Sequence, residues 1–237
     1  MVHFWGGNAL DASQSLLAAL RDTFLLEGAP PEAAALLLQQ PGVEVVSFLP
    51  GQVIYDAAHY RACMGLVLSG QVEVYSALPE RRTLLNILGR GRAFGVAAMF
   101  QSFGRYPTLV EAGRKCRILF LPQQALETVF AAHAQVMRNY IGFLSGRIFF
   151  LNRKIDAYIT GRTTARLATY LMDQAEQDES GAYALTLPVG MNKLARMLSM
   201  GRASLYRAEQ ELTDSELIRR EGREVRILDM QRLCQWH

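Results

Sequence analysis

The stretch from Met191 to Ile218, "MNKLARMLSMGRASLYRAEQELTDSELI", decides how the rest of the chain is read. Its first part places Leu194, Met197 and Leu198 on one helical face, with the small Ala195 where a second helix can cross closely. "SMG" interrupts the pattern as a turn, and Gly201 is a permissive N-cap for a second helix whose inward residues are Leu205, Ala208 and Leu212. That leaves Arg202, Ala203, Ser204, Tyr206 and Arg207 on or near the outward face, at the start of the second helix. "LIRREGREVRIL" follows, two β-type runs joined at "EGRE". The order helix, turn, outward-basic helix and hairpin predicts a winged helix-turn-helix. Such a unit offers the start of its second helix to the major groove of double-stranded DNA, where arginine bonds bidentately to guanine and a hydroxyl reaches phosphate or a base edge.

The charge pattern points the same way. The net charge of the 237 residues is only +3, but from Gly190 to Ala208 stand Lys193, Arg196, Arg202 and Arg207 with no acid among them. Glu209, Glu211, Asp214 and Glu216 follow at once. Positive charge concentrated in this way attracts a polyanion through phosphate neutralisation and counterion release. The competing reading is a solvated helix face.

Working back towards the N-terminus, "TTARLATYLMDQAEQ" from residue 163 is an amphipathic helix with Ala165, Leu167, Ala168, Leu171 and Met172 on its apolar side. "DESGAYALTLPVG" after it reads as a polar turn and a short strand. From Pro122 to about Gly161 a helical pattern runs without glycine-proline punctuation, roughly 57 Å if continuous at 1.5 Å per residue. Within it Met137, Ile141, Leu144, Ile148, Leu151 and Ile155 alternate spacings of four and three, the seam by which helices pair knobs into holes. A homodimer is expected on this seam; packing on the chain's own β region is the alternative, and Phe143, Phe149 and Phe150 widen the stripe enough for both.

Between Val43 and Leu121 short β-type runs, "VEVVSF", "VIYD", "GLVL", "QVEVY", "TLLNIL" and "RILFL", are separated by "PG", "SG" and "GRG". Ahead of them the Ala- and Leu-rich segment from Ser13 to Gln40, interrupted by Pro30 and Pro31, predicts two short helices packed on the β unit. The chain is therefore expected to be α+β, with a β domain at residues 1–121, a dimerisation helix at 122–160 and a DNA-binding domain at 161–237.

Half of the residues are hydrophobic and a fifth are charged, the balance of a soluble globular protein. No apolar run is long enough to cross a bilayer, and "MVHFWGGNALD" lacks the form of a signal peptide. Cys63, Cys116 and Cys234 are odd in number and widely spaced, which suits a reducing compartment and gives no zinc motif. A cytoplasmic location without membrane contact is expected. An enzyme is not: there is no paired H-x-H with a following glutamate for a cupin-like metal site, and no G-x-S-x-G, P-loop or dinucleotide fingerprint, so neither catalytic nor metal residues are assigned. The rival class is a ligand-binding β domain without sequence-specific DNA binding.

"LPVGMNKLARMLSMGRASLYRAEQELTDSELIRREGREVRIL" resembles the C-terminal winged helix-turn-helix of the CRP/FNR family of bacterial transcription regulators. "LPGQVIY", "GLVLSGQVEVY" and "GRGRAFG" resemble that family's jelly-roll-like β-roll, of the cyclic-nucleotide-binding type, and the heptad helix its dimerisation helix. The likeness runs from about Leu36 to Leu233. It implies a homodimer on a roughly two-fold symmetric DNA site that recruits or blocks RNA polymerase. Arg202 and Arg207 fall where many members read guanine, and Ser204 where serine or threonine stands near phosphate. Ala203 replaces a frequent glutamate, which removes one base contact, and Ser199 stands where a turn glycine is common. With Lys193, Arg196 and Tyr206 these make the candidate DNA-binding set.

The sensor region departs further from the resemblance. In "GRAFGVAAMFQSFGRYPTLVEA" the position of the ribose-binding glutamate is Val96, and those of the phosphate-binding arginine and hydroxyl residue are Tyr106 and Pro107, with Arg105 one residue early. Cyclic AMP binding in the family manner is therefore not expected, because a buried phosphate needs charge-assisted donors. Phe94, Gly95, Val96, Met99, Phe100, Arg105 and Tyr106 are the candidate effector-pocket residues, and with Phe103 they are more apolar than a nucleotide site. The expected effector is uncharged or aromatic, a haem, or none. His3, His59, Cys63 and His133 could each supply a haem ligand, while the cysteine cluster of the iron-sulfur branch is missing.

Overall fold

The computed structural model describes residues 9–76, 82–102, 104–178 and 180–236. His3 and Phe103, both named above, lie outside the described residues. The chain divides into two compact units, Met1–Ser145 and Gly146–His237.

The first unit opens with helices α1 (Ala9–Arg21) and α2 (Pro31–Leu38), joined by a short 3-10 turn at Phe24–Leu26. Eight strands follow: β1 (Glu44–Phe48), β2 (Val53–Tyr55), β3 (Cys63–Ser69), β4 (Val72–Ser76), β5 (Leu84–Leu88), β6 (Ala93–Phe94), β7 (Thr108–Ala112) and β8 (Cys116–Pro122). They form two antiparallel sheets in the orders β1-β8-β3-β6 and β2-β7-β4-β5. Strands β6 and β7 were not among the runs read from sequence. The two-residue β6 is too short to show a period, and β7 pairs with both β2 and β4 although "TLVEA" follows an irregular loop.

Two cores sit on opposite faces of the sheet that contains β3 and β8, and the period of two of a strand assigns each residue to one of them. Met64, Leu66, Leu119 and Leu121 face α1, α2 and α3 (Gln123–Ala132) in a core with Leu20, Leu37, Leu126 and Val129. Cys63, Val67, Ile118 and Phe120 face the other sheet, with Tyr55, Phe94, Tyr106 and Val110. Coverage on both sides explains why β3 and β8 read as continuous apolar runs rather than alternating ones.

The helical stretch after Pro122 is not continuous. His133 leaves the helical region at φ −135°, ψ 90°, dividing α3 from α4 (Ala134–Ile159). The break carries no glycine or proline, which is why the sequence reads straight through it. Helix α4 is thus 26 residues long, or about 39 Å at 1.5 Å per residue. On its inner side Val136 and Tyr140 are buried against the helix-side core, with Phe143 and Leu144 packed at its edge.

In the second unit α5 (Thr163–Gln174) is followed by β9 (Glu176–Gln177), β10 (Tyr183–Thr186), α6 (Met191–Met197), α7 (Arg202–Asp214), β11 (Ile218–Glu221), β12 (Glu224–Ile227) and α8 (Met230–Cys234). The strands make one antiparallel sheet, β11-β12-β10-β9. Leu205, Ala208 and Leu212 of α7 are buried, as are Leu194, Ala195 and Met197 of α6, so the inward faces read from sequence are those observed. Helix α8, capped by the Asp229 side chain accepting from the Arg232 amide, was not anticipated.

Gly70 closes the turn between β3 and β4 at φ +82°, and a Cβ there would stand 2.1 Å from the carbonyl oxygen of Lys115. Left-handed strain and a backbone clash then act together. Gly70→Ala should lower the unfolding free energy by about 2–4 kcal/mol, read as a lower urea midpoint at unchanged slope; an unshifted midpoint would contradict the packing described.

Candidate nucleic-acid interface

The turn between α6 and α7 is tight. Ser199 adopts φ +52°, its amide donates to the Arg196 carbonyl (3.1 Å), and the Met200 amide donates to the Ala195 carbonyl (3.0 Å). The Arg166 guanidinium donates to the Ser199 carbonyl at 3.1 Å, so α5 holds the turn from outside. Gly201 begins α7 from extended backbone without a side-chain cap.

On this frame Arg202, Ala203, Tyr206 and Arg207 are exposed and Ser204 is half-buried. The Arg202 guanidinium lies over the Tyr206 ring, 5.6 Å from its centroid, and an Arg207 nitrogen is 3.4 Å from the Ser204 hydroxyl. A cleft of about 360 Å³ opens beside them, lined by Gly190, Met191, Asn192, Lys193, Arg196, Arg202 and Tyr206. Lys193, Arg196, Arg202 and Tyr206 thus share one concave surface, while Ala203, Ser204 and Arg207 continue it along α7. Asn192 and Met191 were missed by the sequence reading. The signal for Asn192 was its place one turn before Arg196 on α6, with the same outward direction.

Charge on α7 is distributed against its own dipole. The first turn holds Arg202 and no acid, although the amino end of a helix favours negative charge. Among the described residues Arg196, Arg202 and Arg207 have no acidic partner. Two acids further on have partners within the unit: Glu209 pairs with Arg220 at 3.0 Å through one carboxylate oxygen, the other being buried without a partner, and Glu211 accepts from the Thr164 hydroxyl at 2.6 Å. Strands β11 and β12 pair as the hairpin read from sequence, with Gly222 at φ +63° between them.

The candidate effector residues fall into three places. Val96 and Met99 are buried in the helix-side core, whereas Phe94 and Tyr106 are buried between the sheets. Phe100 and Arg105 are exposed. Gly95, at φ +74°, lets the chain pass between Tyr55 and the Cys63 carbonyl, where a Cβ would meet them at 2.8 and 3.1 Å. Tyr106 stacks on Tyr55 with ring centroids 4.0 Å apart and its hydroxyl donates to the Arg61 carbonyl. The Tyr55 hydroxyl donates to the Cys63 carbonyl at 2.5 Å. Burial raises both phenols, that of Tyr106 to about 12, so they stay neutral donors at any physiological pH. Tyr60 leans on Tyr106 at 5.0 Å and donates to the Ala98 carbonyl.

With this geometry in hand, comparison with known proteins is informative. The profile of the cyclic nucleotide-binding domain matches residues 45–133, and that of the Crp-like helix-turn-helix domain matches residues 165–236. The chain belongs to the CRP/FNR family of transcription regulators. A CRP-like cAMP-activated global transcriptional regulator of Mycobacterium tuberculosis is 23% identical over 214 residues, 89% of this chain and 94% of that protein. A CooA variant from Carboxydothermus hydrogenoformans shares the fold with a TM-score of 0.59 at 18% identity, covering 84% of this chain and 93% of its own. The catabolite activator protein of Thermus thermophilus gives 0.51 at 18% identity, covering 90% and 97%. The α+β order of β-roll, long helix and winged helix-turn-helix is that of the family.

Of the seam residues, Met137, Ile141, Ile148, Leu151 and Ile155 are 40 to 62% exposed, whereas Leu144 is half-buried beside the core of the first unit. The described haem-ligand candidates lie on separate elements: His59 is exposed in the loop after β2 with its ring against Asp56, Cys63 is inside β3, and His133 is at the α3 to α4 break. Among the described residues, no helix is long and apolar enough to cross a membrane, and no group of three or more His, Cys, Asp or Glu side chains is placed to hold a metal ion.

Burial pushes the Cys63 thiol up to about 11 and raises Cys116 as well, whereas Cys234 is half-buried with an Arg153 nitrogen 2.7 Å from its sulfur. Since the thiolate is the reactive form, iodoacetamide at pH 8 should label Cys234 in the native protein well before Cys63 or Cys116. Peptide mass spectrometry reads the order, and equal labelling would show that β3 and β8 are open to solvent.

Proposed function

We propose that this family member acts as a homodimer that reads a two-fold symmetric DNA site, recruits or blocks RNA polymerase there, and is not controlled by cyclic AMP. The observation that carries the DNA reading is the start of α7, where exposed Arg202 and Arg207 have no acidic partner among the described residues at a helix end already positive by its dipole. An anionic partner relieves that arrangement, and nothing in the unit's own packing requires it. Lys193 and Arg196 on the neighbouring helix add to the same field.

Pairing through α4 is supported by its uncovered apolar residues. Large side chains left in water along one helix mark a surface that another element covers. A second copy presents the same stripe in the matching heptad frame. Two recognition helices in one dimer then reach half-sites about one turn of DNA apart.

The relative from Mycobacterium tuberculosis is named as cAMP-activated. Transfer of that ligand to this chain is opposed by its residues. A cyclic phosphate buried in the β-roll needs a cationic donor, but the position expected to supply one is Tyr106, whose ring is packed on Tyr55 and whose hydroxyl is committed to the backbone. Arg105 is exposed, and Val96 offers a ribose hydroxyl no acceptor in its side chain. This points to a regulator whose β-roll interior is occupied by its own aromatic side chains and which binds DNA without a nucleotide.

Selection of randomised duplexes on the purified ligand-free protein at about 0.15 M salt, where non-specific phosphate binding is weak, tests this directly. A palindrome is expected, and Arg202→Ala with Arg207→Ala should weaken its binding by at least about a hundredfold. Unchanged affinity would refute the role given to α7. For the seam, Ile148→Glu is the cleaner probe because Leu144 also serves the chain's own core. It should give a folded monomer in analytical ultracentrifugation; a dimer would disprove the seam.

A further inference from the structure

The start of α7 presents more than two arginines. Ala203 and Tyr206 are three residues apart, so both lie on one helical face, and both are exposed. They stand between the two cations in the helical net, since Arg202 and Tyr206 are four apart and Ala203 and Arg207 are four apart. The result is an apolar centre flanked by guanidinium groups. Tyr206 is the one aromatic side chain of α7, and it is 40% exposed rather than packed with Leu205, Ala208 and Leu212. The Arg202 guanidinium rests on its ring at 5.6 Å, which limits the directions that the arginine can take.

Among groups displayed in the major groove, only one is apolar: the C5-methyl of thymine, which pairs with alanine and aromatic carbon rather than with a charged or amide side chain. A carboxylate at position 203 would instead select the amino group of cytosine; the Ala203 methyl does the opposite, offering carbon and no acceptor. We infer that Ala203 and Tyr206 together form a thymine-methyl reader, placed between the guanines bonded by Arg202 and Arg207, so that the half-site preference includes a thymine adjacent to a guanine. Tyr206 has a second task in the same step, holding Arg202 over its ring in the direction that the neighbouring guanine requires. This inference rests on the proposed DNA reading by α7 and adds to it the identity of a base.

The test uses the full-length protein and the palindrome it selects. Each thymine of the half-site is replaced in turn by deoxyuridine, which removes the methyl group and leaves every hydrogen-bonding atom in place. One thymine next to a guanine should show a loss of about fourfold per half-site, the effect of one buried methyl group. In Tyr206→Ser that sensitivity to deoxyuridine should shrink, and the preference for the guanine opposite Arg202 should relax as well. Tyr206→Phe should keep both. Because the substitution in the DNA needs no variant protein, a folding defect in Tyr206→Ser cannot mask the result. If a palindrome is selected but every thymine tolerates deoxyuridine, or if no thymine adjoins a guanine, the methyl reader is wrong while the DNA reading stands. If no duplex is selected, the DNA reading itself is overturned and this inference falls with it.

Discussion

A helix that is apolar on two sides cannot be satisfied by one β unit. Helix α4 begins with Val136 and Tyr140 buried on the β-roll, while Met137 and Ile141, one position further round the helix in each case, are left in water. Beyond Ser145, the last residue of the first unit, the exposed series continues along α4 with Ile148, Leu151 and Ile155. Each such side chain gains about 1.5–3 kcal/mol on full burial. Leaving the whole set exposed is a standing cost in the monomer, which the proposed pairing with a second copy would remove. Tyr140 makes this more than a question of assembly, because its hydroxyl donates to the Val96 carbonyl at 2.8 Å, tying the inner face of the helix to the loop after β6. In the proposed dimer the seam residue Ile141 is then the direct neighbour of Tyr140, the residue that bonds to that loop.

That loop also carries the proposal that this member is not controlled by cyclic AMP. A nucleotide pocket needs polar groups aimed inward with room between them. Here the corresponding stretch places Val96 and Met99 in one core and Phe94 and Tyr106 in the other, with the sheet of β3 and β8 between. Tyr55, Tyr60 and Tyr106 satisfy their hydroxyls on backbone carbonyls, so their polar ends are used for holding the strands together. Buried phenols bonded in this way resist rearrangement, because opening the stack would strand donors without partners. On the proposed reading the β-roll is a rigid support for α4 rather than a receptor.

How much of this was legible in the sequence depended on period and neighbours. The inward faces of α6 and α7 were readable because Leu194, Met197, Leu205, Ala208 and Leu212 repeat at helical spacing and are in fact buried. The break at His133 was not, since it follows from the backbone of one non-glycine residue and no punctuation marks it. Strand β7 was hidden because its pairing with β2 and β4 is non-local, and α8 because five residues show barely more than one turn of pattern. Of the candidate site, the one-dimensional facts were visible: which residues are basic, and which lie outward. The separation of Val96 from Tyr106 by a sheet, the support of the turn by Arg166, and the stack of Arg202 on Tyr206 are contacts between side chains, which spacing does not encode.

The arrangement of charge on α7 ties these strands together. Arginine at the amino end and glutamate towards the carboxyl end both oppose the helix dipole, so the sequence of this helix is not optimised for the isolated fold. The two ends are treated differently. Glu209 is half-buried beside Arg220, and desolvation by that burial raises its carboxyl while the guanidinium pulls the other way. Glu211 is held by Thr164. Glu209 and Glu211 thus each have a partner within the unit, on β11 and α5, although the second carboxylate oxygen of Glu209 is buried without one. Among the described residues Arg202 and Arg207 have no acidic partner, and Arg202 lies over a tyrosine ring that is itself left in solvent. Fold stability alone does not call for arginine in the first turn of α7, where among the described residues no acid faces it. A partner that supplies the missing negative charge, and with it the acceptor atoms of base edges, accounts for the arginines at the amino end.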